Sequence, residues 1–221
     1  MVWDEVQSKT MKTIALFVYD PKCSVQCCNA VMNSISHRYN IKLFSKNKLE
    51  DNFFDDVDMV IVPGGIGDSE TFHSLFKNNA DRVRKFVAGG GKYLGICMGA
   101  YWAGSHYLKI LDGIDTVQYI KRPNTDTRRP HAKDLKVYWK GIPTTMFFYD
   151  GCAIVGDYSK MEIISKYAND DIMAAFQGNI GLIGCHPEAE EWWYNSYSYM
   201  KGKWHNNQML LLEIIDEMME K

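Results

Sequence analysis

The first hundred residues switch repeatedly between two hydrophobic periods, and no other feature constrains the fold as tightly. Thr13-Ile-Ala-Leu-Phe-Val-Tyr19 is a continuous β-prone apolar run, as a strand buried on both faces requires. Beyond Pro21, Ser24 is placed to cap a helix, and Val25, Cys28, Met32, Ile35 and Tyr39 recur at helical spacing. Ile41 to Phe44 and Asp58 to Pro63 repeat the strand pattern. Asn79 to Ala88 repeats the helical one, with Val83, Phe86 and Val87 on one face, and stops at Gly89-Gly-Gly91. Lys92 to Ile96 is a fourth strand. Strands and helices alternating across short glycine-rich joints predict an α/β fold, a parallel sheet covered by helices on both faces.

The second half changes character. Leu135 to Trp139, Thr144 to Tyr149, Met161 to Tyr167, Ile172 to Phe176 and Ile180 to Gly184 are short strands. Turn signals separate them (Lys140-Gly141, Asp150-Gly151, Asn169-Asp-Asp171), which predicts a partly antiparallel extension of the same sheet. Asn206 to Lys221 is an amphipathic helix whose Met209, Leu212, Ile215 and Met219 stripe is expected to pack on the core. No linker, repeat or low-complexity tract interrupts the chain, so residues 1–221 are expected to form a single domain.

Lys plus Arg number 25 and Asp plus Glu 27, a net charge of −2 that gives no bulk attraction for nucleic acid or an anionic membrane. No stretch approaches the ~18 apolar residues of a membrane span. Ile14 to Tyr19 is flanked by charge and lacks the cleavage site of an export signal. The six cysteines (Cys23, Cys27, Cys28, Cys97, Cys152 and Cys185) are therefore read as reduced thiols of a cytoplasmic protein.

Three segments carry chemistry when taken together. Gly95-Ile-Cys97-Met-Gly99 lies at a strand end and enters a small-residue helix, a Gly-x-Cys-x-Gly form of the nucleophile elbow. Such a turn is strained and crowded, and it sets the thiol at the positive end of a helix, which favours thiolate. Cys185-His186-Pro-Glu188 follows an apolar strand; on extended chain His186 and Glu188 point the same way, as a base and its orienting carboxylate must. Pro63-Gly64-Gly65-Ile66-Gly67 ends another strand, and its backbone N–H groups can approach a ligand closely, as an oxyanion hole requires. Gly64 and Ile66 of that loop are expected to contact the substrate. Phosphate-loop readings fail: a dinucleotide fingerprint from Gly65 meets Glu70 where it needs glycine, and Lys92 is followed by Tyr93 rather than Ser or Thr.

On these stretches the chain resembles class I glutamine amidotransferase-like domains, and most of all the N-terminal domain of eukaryotic biotin–protein ligases. Phe17-Val-Tyr-Asp20, Val62-Pro-Gly-Gly65, Gly89-Gly-Gly-Lys-Tyr-Leu-Gly-Ile-Cys-Met-Gly-Ala-Tyr101 and Cys185-His-Pro-Glu188 carry the resemblance. It implies a flavodoxin-like three-layer sandwich, mainly parallel at its centre. It also implies a Cys97 nucleophile, a His186 general base, Glu188 as its orienting acid, and an oxyanion hole built from the N–H groups of Gly65 and Met98. Relatives with protease activity place histidine directly after the nucleophile, where this chain has Met98.

The function expected is a stand-alone thiol-dependent amide hydrolase or amidotransferase acting on a small-molecule amide, glutamine by resemblance, with no cofactor and no metal. The alternative is a non-catalytic ligand-binding or regulatory module of the same fold. No biotin-ligase or synthetase segment follows, so biotinylation is not expected, and an amidotransferase would need a synthetase or acceptor partner chain.

Three further features bear on the site. Cys23-x-x-x-Cys27-Cys28 falls on a predicted helix and is read as helix packing rather than a zinc site. Lys121 to His131 is a basic, proline-containing loop that could close over the site, its Arg128 and Arg129 meeting an anionic substrate. The aromatic run Trp192, Trp193, Tyr194, Tyr197, Tyr199 and Trp204 is expected chiefly to clamp the C-terminal segment onto the sheet, with pocket lining as the alternative.

Overall fold

A computed structural model describes residues 11–19 and 25–221. The Ser24 cap, Asp20 and Cys23 lie outside the described residues. In the first half the strands are β1 (Thr13–Phe17), β2 (Asn40–Phe44), β3 (Met59–Val62) and β4 (Lys92–Ile96). Their helices are α1 (Val25–Ile35), α2 (Ser69–Leu75), α3 (Lys77–Ala88) and α4 (Met98–Trp102). The second half adds β5 (Ile114–Gln118), β6 (Lys133–Trp139), β7 (Ile142–Phe148), β8 (Cys152–Gly156), β9 (Glu162–Tyr167), β10 (Ile172–Gln177) and β11 (Ile180–Ile183), then α5 (Glu191–Asn195) and α6 (Gln208–Met219).

All these strands join one sheet of order β2-β1-β3-β4-β11-β10-β9-β6-β7, with β8 paired to β10 and β5 paired to β8. Its first five members run parallel, in the spatial order of a flavodoxin-like sheet. From β10 onward every pairing is antiparallel. The mixed α/β fold read from the sequence is the fold observed. The parallel strands are buried on both faces, which is why β1, β3 and β11 lack polar alternation. Ile14, Leu16, Ile61 and Ile96 face α1 and α6, while Ala15, Phe17, Val60 and Tyr93 face α2, α3 and α4.

Several elements differ from expectation. Helix α2 is not legible in the sequence because its seven residues carry too few apolar positions for a period; its Asp68 cap accepts from the Thr71 N–H at 2.7 Å. Strands β5 and β8 were not expected either. The terminal helix buries Leu212, Ile215 and Met219 as expected, together with Leu211, Ile214 and Met218, whereas Met209 is 62% exposed. Met209 lies in the helix's first turn, before the apolar face closes on the sheet. Tyr39, read as helical, lies beyond α1; its hydroxyl and Arg38 both bond the Asp216 carboxylate, tying α1 to α6. Among the described residues no helix is long and apolar enough to cross a membrane.

Candidate active site

Parallel pairing brings the chemistry together. Val62 of β3 is level with Gly95 of β4, and Ile96 with Ile183 of β11, so the loops after all three strands leave the sheet at one edge. That carboxyl edge is where open α/β sheets form sites. The Gly64–Gly67 loop, the elbow and the His186 segment therefore meet, although they are far apart in sequence.

Cys97 has φ 52° and ψ −104°, a left-handed-side conformation that costs energy for a residue with a Cβ. The backbone on either side holds it there. The Cys97 N–H donates to the Ile183 carbonyl at 2.8 Å, and the Cys97 carbonyl accepts from the Tyr101 N–H at 3.0 Å. The turn also demands glycine: a Cβ on Gly99 would stand 1.8 Å from the Val62 carbonyl oxygen. The buried Tyr93 hydroxyl donates to the Gly99 carbonyl at 2.6 Å and fixes the start of α4. The Cys97 side chain, 6% exposed, reaches the Tyr149 carbonyl oxygen at 3.6 Å.

His186 leaves β11 and pairs with β7, donating its N–H to the Phe147 carbonyl at 2.8 Å. Its ring sits edge-on to Phe147 and Trp193 and is 4% exposed. Nδ1 lies 2.6 Å from Oε1 of Glu188, a carboxylate with no exposure at all. A carboxylate this deep is tolerable only when compensated, and the imidazole supplies the compensation. Burial, the largest single influence, works against a charged ring. The Glu188 carboxylate first, then Cys97 by charge and side-chain contact, outweigh it and hold the His186 pKa well above the ordinary histidine range. The second Glu188 oxygen, Oε2, is buried without a hydrogen-bond partner among the described residues.

The glycine loop makes room for this pair. A Cβ on Gly64 would fall 2.6 Å from Cε1 of His186 and 3.0 Å from the sulfur of Cys27. Gly64 is buried at that contact, while Gly65 and the 61% exposed Ile66 line the cavity beside Cys97. Met98 opens α4 and its side chain packs against Gly67. The cavity has a volume of about 480 Å³, within the range of small-ligand sites. Phe147, Trp192, Trp193 and Tyr197 form much of its wall, so the aromatic run lines the pocket as well as clamping. The clamp is visible too: Trp204 Nε1 donates to the Ala189 carbonyl at 2.9 Å.

Cys27 is the residue whose position the sequence did not reveal. It stands in the first turn of α1, 8% exposed, and borders the same cavity. Ligand atoms of Cys27, His186 and Glu188 lie within 4.8 Å of one another, a set that could hold a soft cation. A cation there would compete with the hydrogen bond that orients His186. The available signal was topological: α1 follows β1, whose carboxyl end opens at the same sheet edge. Phe147 and Tyr149, from the antiparallel half, were also missed, since nothing local ties that strand end to the elbow.

Residues 19–111 match the family model described as "Biotin-protein ligase, N terminal", a stretch that includes Cys97 and stops short of His186 and Glu188. A glutamine amidotransferase from Thermotoga maritima superposes with a TM-score of 0.67 at 12% identity, covering 96% of this chain and 100% of that one. A chain of the PurLQS structure from Thermotoga maritima gives 0.65 at 15% identity, covering 94% and 99%. A glutamine amidotransferase from Methylobacillus flagellatus gives 0.56 at 12% identity, covering 85% and 74%. At these identities the likeness establishes the fold. No curated protein matches the sequence.

Proposed function

We propose that the protein is a thiol-dependent amide hydrolase or amidotransferase whose nucleophile is Cys97. One observation carries the reading: a cysteine held at positive φ on a strand-to-helix turn shares a cavity with a buried histidine locked to a buried glutamate. In the reaction, the Cys97 sulfur attacks the amide carbonyl and the protonated His186 gives its proton to the departing amine. His186 then takes a proton from water, or from an acceptor supplied by a partner chain, and the thioester is released. Glu188 holds the ring in orientation and stabilises the imidazolium. The N–H groups of Gly65 and Met98 bind the oxyanion, an arrangement typically worth about 3 kcal/mol of barrier for each donor. Gly64 keeps the space His186 needs, and Ile66 and the aromatic wall bury the substrate. Glutamine is the amide suggested by the similar structures named above.

The test is steady-state release of ammonia from a panel of primary amides, glutamine first, by wild type and Cys97→Ala. Turnover lost in the variant, with its thermal melt unchanged, is the expected result. Turnover retained by Cys97→Ala would overturn the mechanism.

A further inference from the structure

Among the described residues no Lys, Arg, Asp or Glu lines the cavity at Cys97, and its one cationic group, the His186 imidazolium, is already paired with Glu188, so little is left to neutralise a charged substrate group. Burying an ion there would carry a large uncompensated desolvation cost. A second cavity, of about 630 Å³, adjoins it, and Tyr149 and Tyr197 line both. The backbone of Tyr149 reaches Cys97 and its side chain, 48% exposed, stands in the wall between the two spaces.

The second cavity is cationic. Arg129, Lys133 and Lys203 line it, with His131 beside them and Asp134 as its acid. Asp134 is engaged, accepting from the Tyr194 hydroxyl at 2.8 Å. None of the three cations enters an ion pair among the described residues, although nine such pairs form elsewhere. The loop that carries Arg129 is held in place, because the Tyr199 hydroxyl donates to the Ala132 carbonyl at 2.6 Å. The basic loop thus lines the second cavity, through Arg129 rather than Arg128, and contributes no described residue to the cavity at Cys97.

From this juxtaposition we infer that the second cavity is an anion subsite, and that the substrate is an amide whose acyl chain ends in an anionic group. The amide lies at Cys97, an uncharged chain passes Tyr149 and Tyr197, and a carboxylate or phosphate meets Arg129, Lys133 and Lys203. Charge-assisted hydrogen bonds from a guanidinium and two ammonium groups suit either oxyanion. The inference rests on the proposed function only for where the amide sits, and departs from it in the substrate, an amide with one terminal anionic group in place of zwitterionic glutamine.

The test is calorimetric binding to Cys97→Ala, in which turnover plays no part. The probes are suberic acid monoamide, its methyl ester, and a straight-chain amide of similar length ending in a phosphate monoester. The acid is expected to bind about tenfold or more tightly than the ester. That advantage should vanish when Arg129→Ala and Lys203→Ala are added, and shrink in high salt. Both positions are exposed, so folding should survive, as a thermal melt will show. Tighter binding of the phosphate probe would name phosphate as the terminal group, and the reverse a carboxylate. Equal binding of acid and ester, no binding of any probe, or an advantage unchanged by the double substitution would overturn the subsite. Cys97 could prove inert towards amides and this measurement would still decide the question.

Discussion

Cys27 and Cys97 both border the cavity that holds His186, yet the chain presents them in different ways. Cys27 rides on ordinary helix, in the first turn of α1, and its sulfur rests near Gly64. Cys97 sits at φ 52°, off the regular regions, where the strand turns into α4 and the Ile183 and Tyr101 hydrogen bonds hold it. Backbone strain of this kind persists only where the surroundings over-determine it, and on that ground Cys97 is the thiol proposed to act. In the proposed reaction the backbone beneath the sulfur, rather than proximity to the histidine, distinguishes the two thiols. The remaining described cysteines complete the contrast, because Cys28, Cys152 and Cys185 are packed in the core with burial pushing their thiols up.

The comparison breaks most sharply by substitution. Cys97→Ala is expected to lower kcat about ten-thousandfold or more, while Cys27→Ala retains turnover. Equal losses in ammonia-release assays would mean that helix and elbow thiols act together.

Next in size is Glu188→Gln, expected to cost about a thousandfold by releasing the ring from its orientation. It carries a pH signature as well. The Glu188 charge helps hold the His186 pKa up, so removing it should move the alkaline limb of the kcat/KM profile to lower pH. The sign for stability follows the same shift. A histidine whose folded pKa exceeds its unfolded value of about 6.5 contributes fully below that pH, and the contribution is lost as pH rises through the folded pKa. The difference in melting temperature between wild type and Glu188→Gln should therefore shrink as pH rises through that alkaline window. An alkaline limb unmoved in Glu188→Gln would separate Glu188 from the site's protonation.

Gly64→Ala probes the space rather than the charge. The added methyl would press on both His186 and Cys27, and a shift of about 1 Å in a catalytic group can cost about a hundredfold. Unchanged kcat would show that the ring can move without consequence.

The mildest test is chemical. Iodoacetamide at neutral pH, read by peptide mass spectrometry, should mark Cys97 at least about tenfold faster than Cys28, whose thiol is pushed up to about 11 by burial. Similar rates would erase the distinction between aimed and packed thiols.

Local sequence sufficed wherever a property repeats along the chain or resides in one short turn. The parallel core was readable because strands buried on both faces leave unbroken apolar runs, and Lys92–Ile96 matches its expected bounds residue for residue. The elbow was readable because only small residues fit at Gly99; the His186–Glu188 pairing expected on extended chain is made instead within a turn, where the Ala189 N–H donates to the His186 carbonyl at 3.3 Å. What the tertiary structure alone decided are meetings between distant segments: Cys27 arriving beside His186 from α1, Phe147 and Tyr149 closing the cavity from β7 and its turn, and Arg129 joining Lys203 in the adjoining one. Periodicity reports which face of an element is buried, but not which other element buries it. That choice belongs to sheet order and to loop paths, which no local pattern encodes.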